Sequence, residues 1–381
     1  PYPAFDVERE REPEAWHEVS QTWLVVSHAA CSQSLRDRRL GRIWHDREPA
    51  KAFEPFNLLH RNQMMENEPP NHTRLRRKVS TAFARGHIER MRPRVQALGR
   101  DLLGQVDGHA FDALADFAEP LPVLVIAELL GAPMEDFASL RTWSQKIVRM
   151  YEPSISEVVQ QQALAASQEF ADYMRQLIAL RRTHLRDDLL SDLLRAQQGD
   201  GGLTDDEVLA SAILLLNAGH EASVNVFGNG LVALLNAPDQ WQRLVGGEVS
   251  VSTVVEEMLR YDSALQLFER TATEDVEVGD VEVRAGEKIA VLLGAANRDP
   301  AMFSDAAALD VGRDPNPHLA FGVGVHFCLG APLARVELAE SLSLLAGTYP
   351  DLALARQPVR RPTFVLRGYR DVPVTGSATA G

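Results

Sequence analysis

The chain carries the run FGVGVHFCLG at Phe321 to Gly330, directly before the helical pattern APLARVELAESLSLL. This run places Cys328, one of two cysteines in the chain, among glycines at the N-terminal edge of a predicted helix. The helix dipole and the backbone N–H groups there lower the pKa of a thiol and favour its anion. Gly322 and Gly324 allow a tight turn around the sulfur, and Gly330 leaves room for a flat group. The run therefore predicts a thiolate metal ligand.

A single thiolate indicates which metal Cys328 binds. A structural zinc site needs about four protein ligands, and no second Cys, His or Asp cluster accompanies this cysteine. A lone thiolate fits an iron whose other ligands come from a macrocycle, as in a thiolate-ligated haem. A structural cysteine buried after a glycine-rich turn is the alternative, and the complete pattern disfavours it.

The pattern Phe321-Gly-x-Gly-x-His-x-Cys-x-Gly330 resembles the haem-binding loop of the cytochrome P450 superfamily, in its soluble bacterial form. The resemblance implies a haem b whose iron is bound by Cys328, with Phe321, His326 and Gly330 beside the ring. It also implies a mainly α fold with a small β region, a triangular helical prism around a buried haem.

Bulk properties agree with a cytoplasmic enzyme. The 381 residues include 39 basic and 53 acidic side chains, for a net charge of −14, which disfavours nucleic acids and anionic membranes as partners. Two cysteines indicate a reducing compartment, and no apolar run approaches the roughly 20 residues of a membrane span. We expect a cytoplasmic protein with no membrane partner.

The chain shows no internal repeat or linker, so we expect a single haem domain over residues 1–381 with a ragged tail at about 376–381. Nothing in this length accommodates a flavin or nicotinamide domain. The resemblance therefore implies that electrons come from a separate ferredoxin and its reductase, with O2 and a small molecule as co-substrates.

Hydrophobic periodicity predicts most elements as helices. We expect a strand over 22–30 before a helix at 31–37, and a hairpin over 276–283 that turns at Gly279-Asp280. A capping box at Thr204-Asp-Asp-Glu207 begins the longest helix, which runs to Leu235 and is apolar on nearly all sides. The further helices are predicted at about 72–84, 88–106, 121–131 and 254–262, and a strand begins at 288.

Two groups of charged residues gain meaning from the resemblance. Glu257 and Arg260 are one helical turn apart and, with Arg313 ahead of the cysteine loop, match the family's Glu-Arg-Arg cluster, a structural anchor for that loop. His72 and Arg76, at i and i+4, match two of the family's haem-propionate ligands. Arg270 and His326 match the other two. The propionate assignment leaves three basic residues of the same helix free, namely Arg74, Arg77 and Lys78. Together with Arg335 they predict a basic patch that binds an acidic electron donor, and a solvated helix face is an equally good interpretation.

The central helix carries Ala218-Gly219-His220-Glu221-Ala222-Ser223. In the family the small pair Ala218 and Gly219 leaves space beside the haem, the acid at Glu221 relays protons, and a threonine follows the acid. Here Ala222 replaces that threonine. We expect water or a substrate hydroxyl to supply the missing group, because Ser223 lies about 100° further around the helix. His220 is expected to face away from the site.

Substrate contacts are the least specific prediction. The resemblance places Leu214 and Asn217 over the distal face and the stretch from Leu265 through Gln266 to Leu267 beside the substrate. Plain core packing explains the apolar members equally well. The stretches 41–65, 150–160 and 363–370 also face the substrate in the family but match no pattern that names it.

The resemblance thus implies a monooxygenase that inserts one oxygen atom from O2 into a C–H bond of a small organic, secondary-metabolite-type substrate. Because Ala222 lacks a hydroxyl, oxidative coupling and peroxide-driven oxidation stay open as alternatives. A haem-thiolate sensor without turnover is the rival of another class, and Glu221 argues against it.

Overall fold

The computed structural model describes residues 1–84, 87–106 and 109–379. Residues 380 and 381 of the predicted ragged tail lie outside this range. The described chain is mainly helical with a small set of strands, which confirms the predicted fold class.

The chain forms two compact units, each assembled from separate stretches of sequence. The first unit comprises Pro1–Gly41, Gly99–Ala118 and Ala222–Gly381, and the second comprises Arg42–Leu98 and Glu119–Glu221. Neither unit is continuous in sequence, and the single domain over 1–381 stays a prediction.

All ten strands of the described chain lie in the first unit. Five of them form a mixed sheet in the order β1-β2-β8-β5-β3, in which β8 runs parallel to β2 and antiparallel to β5. β4, β10 and β9 form a second, antiparallel sheet, and β6 pairs with β7 as a hairpin. The strands are β1 (Glu14–His17), β2 (Thr22–Val25), β3 (Leu40–Gly41), β4 (Ala110–Asp112), β5 (Phe268–Ala272), β6 (Val276–Val278), β7 (Val281–Val283), β8 (Lys288–Val291), β9 (Ala353–Leu354) and β10 (Pro373–Thr375).

Helices α1, α2 and α11 to α14 belong to the first unit, and α3, α4 and α6 to α9 belong to the second. The helices α5 and α10 each contribute one part to either unit. The helices are α1 (Tyr2–Arg11), α2 (His28–Arg36), α3 (Ala50–Arg61), α4 (Asn71–Ala84), α5 (His87–Leu103), α6 (Pro120–Leu130), α7 (Phe137–Val148), α8 (Glu157–Thr183), α9 (Leu189–Arg195), α10 (Asp205–Leu235), α11 (Pro238–Val245), α12 (Val251–Tyr261), α13 (Leu293–Ala296) and α14 (Ala331–Thr348).

The five-stranded sheet packs one face on α2 and the hairpin. Cys31 on α2 is fully buried in this cluster, where its Sγ lies 3.2 Å from the carbonyl oxygen of Val25. Burial raises the pKa of the Cys31 thiol far above its usual value, so this cysteine stays protonated and unreactive. The two cysteines of the chain therefore occupy very different environments.

Local sequence signals explain the start of α10 and the hairpin. The Thr204 hydroxyl accepts from the Glu207 backbone N–H at 3.2 Å, and the Glu207 carboxylate accepts from the Thr204 N–H at 2.9 Å, which confirms the capping box. Gly279 has a φ of 56°, and Val278 pairs with Val281 across the turn, which confirms the hairpin.

The predicted strand over 22–30 is wrong in its second half. β2 ends at Val25, and α2 begins at His28 because the Ser27 hydroxyl caps it by accepting from the Ala30 N–H at 3.3 Å. The His28 N–H donates to the buried Asp299 carboxylate at 2.7 Å. Side-chain acceptors for the first N–H groups thus outweigh the β propensity of the apolar run.

Within the first unit α10 approaches α12 closely at Gly230. A Cβ atom built there would lie 2.3 to 2.7 Å from three atoms of the Met258 side chain, including its own Cβ. Since a Cβ is fixed by the backbone, Met258 cannot swing aside to relieve this overlap.

Replacing Gly230 by Ala should lower the free energy of unfolding by about 1–3 kcal/mol, because the added methyl group overpacks the α10–α12 contact. The control is Gly347→Ala on the exposed side of α14, where a Cβ would meet no atom within 4 Å. That change should raise stability by up to about 1 kcal/mol through helix propensity. Urea unfolding of both variants measures the difference; equal stability of Gly230→Ala and the parent would disprove the close approach.

Candidate active site

The run Phe321 to Gly330 folds as a closed loop in front of α14. The Cys328 N–H donates to the Phe321 carbonyl oxygen at 3.0 Å, and a 3₁₀ turn spans Gly324–His326. The Cys328 carbonyl oxygen accepts from the Ala331 N–H at 3.4 Å, at the first residue of α14. The sulfur-bearing residue is therefore held by the backbone and is partly exposed just before a helix N-terminus.

Gly324 shapes this loop, and Gly330 borders its sulfur. Gly324 has a φ of 78°, and a Cβ there would lie 2.3 Å from the Leu35 carbonyl oxygen. A Cβ on Gly330 would lie 3.9 Å from the Cys328 Sγ. The turn at Gly324 thus fixes the path of the loop, and Gly330 lies beside the sulfur at the distance of an ordinary van der Waals contact, an arrangement that fits a thiolate ligand of an iron macrocycle. No cluster of three or more His, Cys, Asp and Glu side chains in the described ranges suits another metal.

The helix that follows the loop is tied to α12. Arg335 makes a two-pronged pair with Glu256, at 2.6 and 2.8 Å, and its guanidinium lies 4.6 Å from the centre of the Phe321 ring. His318 contacts the same carboxylate at 2.9 Å. Burial opposes ionisation of Glu256, but Arg335 and His318 outweigh it and lower its pKa to about 2.

This geometry corrects the predicted basic patch. Arg335 is paired with Glu256, and Arg74 is paired with Glu207 at the start of α10, so the prediction that both are available to an acidic partner is wrong. Arg77 is exposed and Lys78 is partly exposed. Each of the two paired arginines satisfies an internal carboxylate, which sequence spacing does not reveal because both pairs are long-range.

Glu257, Arg260 and Arg313 lie together in the first unit. The Arg260 guanidinium holds both Glu257 carboxylate oxygens, at 2.7 and 2.8 Å, and Arg313 Nε lies 3.3 Å from Glu257 Oε2. Both side chains of the central pair are fully buried. The remaining Arg260 donors reach the carbonyl oxygens of Asn297, Ala306 and Ala308 at 2.8 to 2.9 Å.

The Glu257 carboxylate also accepts from the Asp310 N–H at 2.8 Å and from the Asn316 side chain at 3.1 Å. All five donors of Arg260 are used, and no charge in the pair is left without a hydrogen bond. The cluster therefore fixes the irregular segment that leads into the Cys328 loop.

The four predicted propionate ligands are divided between the units. His72 is buried and Arg76 half-buried on α4 of the second unit. Arg270 is buried on β5, and His326 is half-buried in the 3₁₀ turn of the loop, both in the first unit. Their role as propionate ligands stays a prediction.

α10 has an open side at its small residues. Residues 208–217 are buried, whereas Ala218 is exposed and Gly219 and Ala222 are half-buried. These three positions lie on one helix face. A long apolar helix that exposes only its smallest residues at mid-length borders open space, and such a surface suits a flat ring.

Glu221 and His220 lie next to this open side but are themselves buried, at 5% and 0% exposure. Their Oε1 and Nδ1 atoms are 3.9 Å apart. This separation is longer than a hydrogen bond, so direct proton transfer between the two groups needs a bridging water.

A buried acid on α14 lies near Ser223. This residue, Glu337, is 4% exposed. Burial raises the pKa of Glu337 to about 8, and the Ser223 side chain offsets this only in part. Sequence reasoning missed Glu337; its position within the apolar face of the pattern ARVELAESL is the one signal that it is buried.

The predicted pocket residues have different environments. Leu214 and Asn217 are each 7% exposed, and Asn217 Oδ1 has no hydrogen-bond partner within the described part of the chain. Leu265 is half-buried. Gln266 is fully buried and donates to the Ser263 carbonyl oxygen at 2.5 Å, so its side chain belongs to the core and not to a substrate surface.

Comparison with known proteins identifies the class. The family model "Cytochrome P450" matches residues 38–246 and 250–345, and the chain belongs to the cytochrome P450 family. It is 37% identical over 390 residues to cytochrome P450 monooxygenase PikC of Streptomyces venezuelae, covering 98% of this chain and 90% of that protein. It is 38% identical over 366 residues to 6-deoxyerythronolide B hydroxylase of Saccharopolyspora erythraea, covering 92% of this chain and 89% of that protein.

A solved structure of P450BioI, in complex with an acyl carrier protein ligated to hexadec-9Z-enoic acid, superposes with a TM-score of 0.94 at 34% identity. The match covers 99% of this chain and 98% of that chain. The protein is thus a bacterial-type P450 monooxygenase, of a family that uses a haem-thiolate iron, redox partners and O2 on small molecules. Among the described helices, none is long and apolar enough to span a bilayer.

Replacing Glu337 by Gln should change how stability depends on pH. Its pKa is about 8 in the folded protein and near 4.5 when unfolded, so between these values only the folded state holds the proton. The free energy of unfolding of the parent should therefore fall from pH 5 to pH 8 and level off above it. The Gln variant lacks this loss, and its stability relative to the parent should rise over the same range.

Urea unfolding of the holoenzyme at pH 6 and pH 8.5 measures the effect. The control is Glu282→Gln, which removes an exposed carboxyl group from the β6–β7 hairpin. If Glu337→Gln and Glu282→Gln follow the same pH dependence, Glu337 is ionised in the folded protein.

Proposed function

We propose that the protein is a haem b monooxygenase that hydroxylates a C–H bond of a small secondary-metabolite-type substrate, with electrons from a ferredoxin and its reductase. The observation that carries the proposal is the loop around Cys328. It holds this partly exposed residue through its own N–H and carbonyl groups, directly in front of the N-terminus of α14. The hydroxylases and monooxygenases among its relatives support the reaction type.

The residues of the candidate site fit a haem. Cys328 would bind the iron, the small residues of α10 would border the ring, and a cationic or donor group would meet each propionate. When bound, the haem activates O2 with two electrons and two protons, and its thiolate favours O–O cleavage, so that one oxygen atom enters the substrate and the other leaves as water. The residues assigned to the haem are His72, Arg76, Ala218, Gly219, Arg270, Phe321, His326, Cys328 and Gly330.

Proton supply falls to Glu221. Its carboxyl group is buried on α10 within 3.9 Å of the His220 ring, which places it away from bulk water but beside a second titratable group. A buried acid with no function would cost free energy without return. We assign Glu221 the proton relay and keep His220 as a neighbour of unassigned role.

The hydroxyl that Ala222 lacks comes from outside the helix. Ser223 lies about 100° further around the helix than position 222 and near Glu337, so its hydroxyl does not take the place of a threonine at position 222. An ordered water or a hydroxyl of the substrate supplies the missing group. This requirement favours a polar, dedicated substrate of the kind that secondary metabolism provides.

The alternatives share the same Ala222. Oxidative coupling and peroxide-driven oxidation need no alcohol beside the acid, and a haem-thiolate sensor needs neither group. Conversion of a substrate with a surrogate ferredoxin, its reductase and NADPH separates the monooxygenase from the sensor. Conversion with hydrogen peroxide alone, at a rate equal to that with the redox proteins, would favour the peroxide-driven reaction.

Replacing Cys328 by Ser should abolish the red-shifted Soret band that a thiolate gives in the reduced carbon monoxide complex. The matched control is Cys31→Ser, because Cys31 lies buried beneath the sheet and burial keeps it protonated. The control should lose some stability and keep the band. A red-shifted band that persists in Cys328→Ser would overturn the assignment of the ligand.

Replacing residues 221 to 223 one at a time tests proton delivery. Glu221→Gln should slow coupled turnover by about 10²-fold, the scale of general acid catalysis. Ser223→Ala should have little effect, and Ala222→Thr should lower coupling with the native substrate by crowding its hydroxyl. Product formed per NADPH consumed measures coupling, and Glu337→Gln is run beside these variants. Loss of coupling in Ser223→Ala and Glu337→Gln, with none in Glu221→Gln, would transfer proton delivery to the Ser223–Glu337 pair.

A further inference from the structure

Another buried acid of the first unit, Asp262, has no part in the proposed chemistry. It directly follows α12 and is 5% exposed. Its carboxylate accepts from the Arg360 guanidinium, from Arg367 Nε at 3.0 Å and from the Tyr2 hydroxyl at 2.9 Å. Burial opposes its ionisation, but the two arginines outweigh burial and hold the pKa of Asp262 below its usual range.

Asn229 on α10 repeats these contacts from another direction. Its side-chain nitrogen donates to the carbonyl oxygens of Asp262 and Arg367, both at 3.0 Å, and its oxygen accepts from Arg360 Nη1 at 2.8 Å. This amide is 1% exposed. The buried side chains of Asp262 and Asn229 therefore hold the same two arginines. The Asn229 amide uses both of its N–H groups and one of the two lone pairs on its oxygen.

These contacts clamp two short segments that pair through their backbones. The Gln266 N–H donates to the Val365 carbonyl oxygen at 3.0 Å, and the Arg367 N–H donates to the Ala264 carbonyl oxygen at 2.8 Å. Leu265 and Leu366 are thereby placed directly opposite each other. Both leucines are half-buried, whereas Ala264 and Gln266 on either side of Leu265 are buried.

The pairing of these segments is too short to fix its own register. A slip of one residue would exchange Leu265 for Gln266 on the half-buried side and place a polar amide where an apolar side chain now lies. A buried ion pair adds little net stability, since desolvation offsets its attraction, but it tolerates only one geometry. The arginine at position 367 is itself part of the ladder, so its pairing with Asp262 fixes the register directly.

We propose that Asp262 is a positioning residue for substrate specificity: by holding Arg360 and Arg367 it fixes segment 264–266 against segment 365–367 and so sets the apolar wall that Leu265 and Leu366 present to the substrate. This inference rests on the proposed function, because it takes the half-buried side of the ladder as part of the substrate cavity. Asp262 thereby acts on substrate specificity without contacting either the haem or the substrate.

The test uses the holoenzyme and two azoles that bind haem iron. Imidazole is small and reports on the iron alone, whereas clotrimazole is bulky and also contacts the cavity walls. Asp262→Asn keeps the shape of the side chain and removes its charge. We expect its Kd for imidazole, measured from the spectral shift of the Soret band, to change less than twofold and its Kd for clotrimazole to change at least fivefold.

Arg360→Lys keeps a positive charge but loses the fork that reaches both Asp262 and Asn229, and it should change the clotrimazole Kd in the same direction. If Asp262→Asn yields no holoenzyme, the clotrimazole Kd of Arg360→Lys decides whether the clamp shapes the cavity. The control is Asp371→Asn, which breaks a partly exposed 2.7 Å pair with Arg356 in the same C-terminal segment and should alter neither Kd.

The possible failures are distinguishable. If imidazole causes no spectral shift in the parent enzyme, the proposed function fails. If both azoles bind Asp262→Asn and Arg360→Lys as they bind the parent, the cavity does not depend on the clamp and this inference is wrong, even where the variants unfold at a lower temperature. A ratio of clotrimazole to imidazole Kd that moves in both variants and stays constant in Asp371→Asn supports it.

Discussion

The fully buried pair of Glu257 and Arg260 is the interaction on which the candidate site depends. The segment from residue 297 to the start of the cysteine loop is largely irregular, so its backbone carbonyl groups cannot satisfy one another as they would in a helix or sheet. Arg260 meets this need, since it donates to three of those carbonyl groups while Glu257 neutralises its charge. Removing either partner of such a pair leaves an uncompensated buried charge, at a cost of about 3–5 kcal/mol.

Sequence reasoning succeeded where the chemistry is local. The capping box at Thr204 and the turn at Gly279 depend on residues within four positions of each other, and both formed as predicted. The run around Cys328 is likewise local, because its glycines and the start of α14 are contiguous. Family resemblance then identified the class from that one stretch, as the comparisons show.

Sequence reasoning failed where the partner is distant. Arg335 was expected to be available, but it pairs with Glu256, 79 positions away. Gln266 was expected to contact the substrate, but it is fully buried and donates to the Tyr2 hydroxyl, 264 positions away, at 3.4 Å. Glu337 was missed altogether, because no spacing rule joins it to Ser223. The identity of the substrate cannot be predicted for the same reason, because the sequence does not distinguish a leucine that lines a cavity from a leucine in the core.

One short helix organises these distant contacts. Four charged residues fall within seven positions at the end of α12, and together they hold three different parts of the first unit. Glu256 holds α14 through Arg335, Glu257 with Arg260 holds the segment before the cysteine loop, and Asp262 holds the C-terminal ladder through Arg360 and Arg367. Successive residues of a helix point about 100° apart, so neighbouring acids reach different partners without competing. The helix therefore fixes, from a single element, both the loop that bears the proposed iron ligand and the wall proposed to select the substrate.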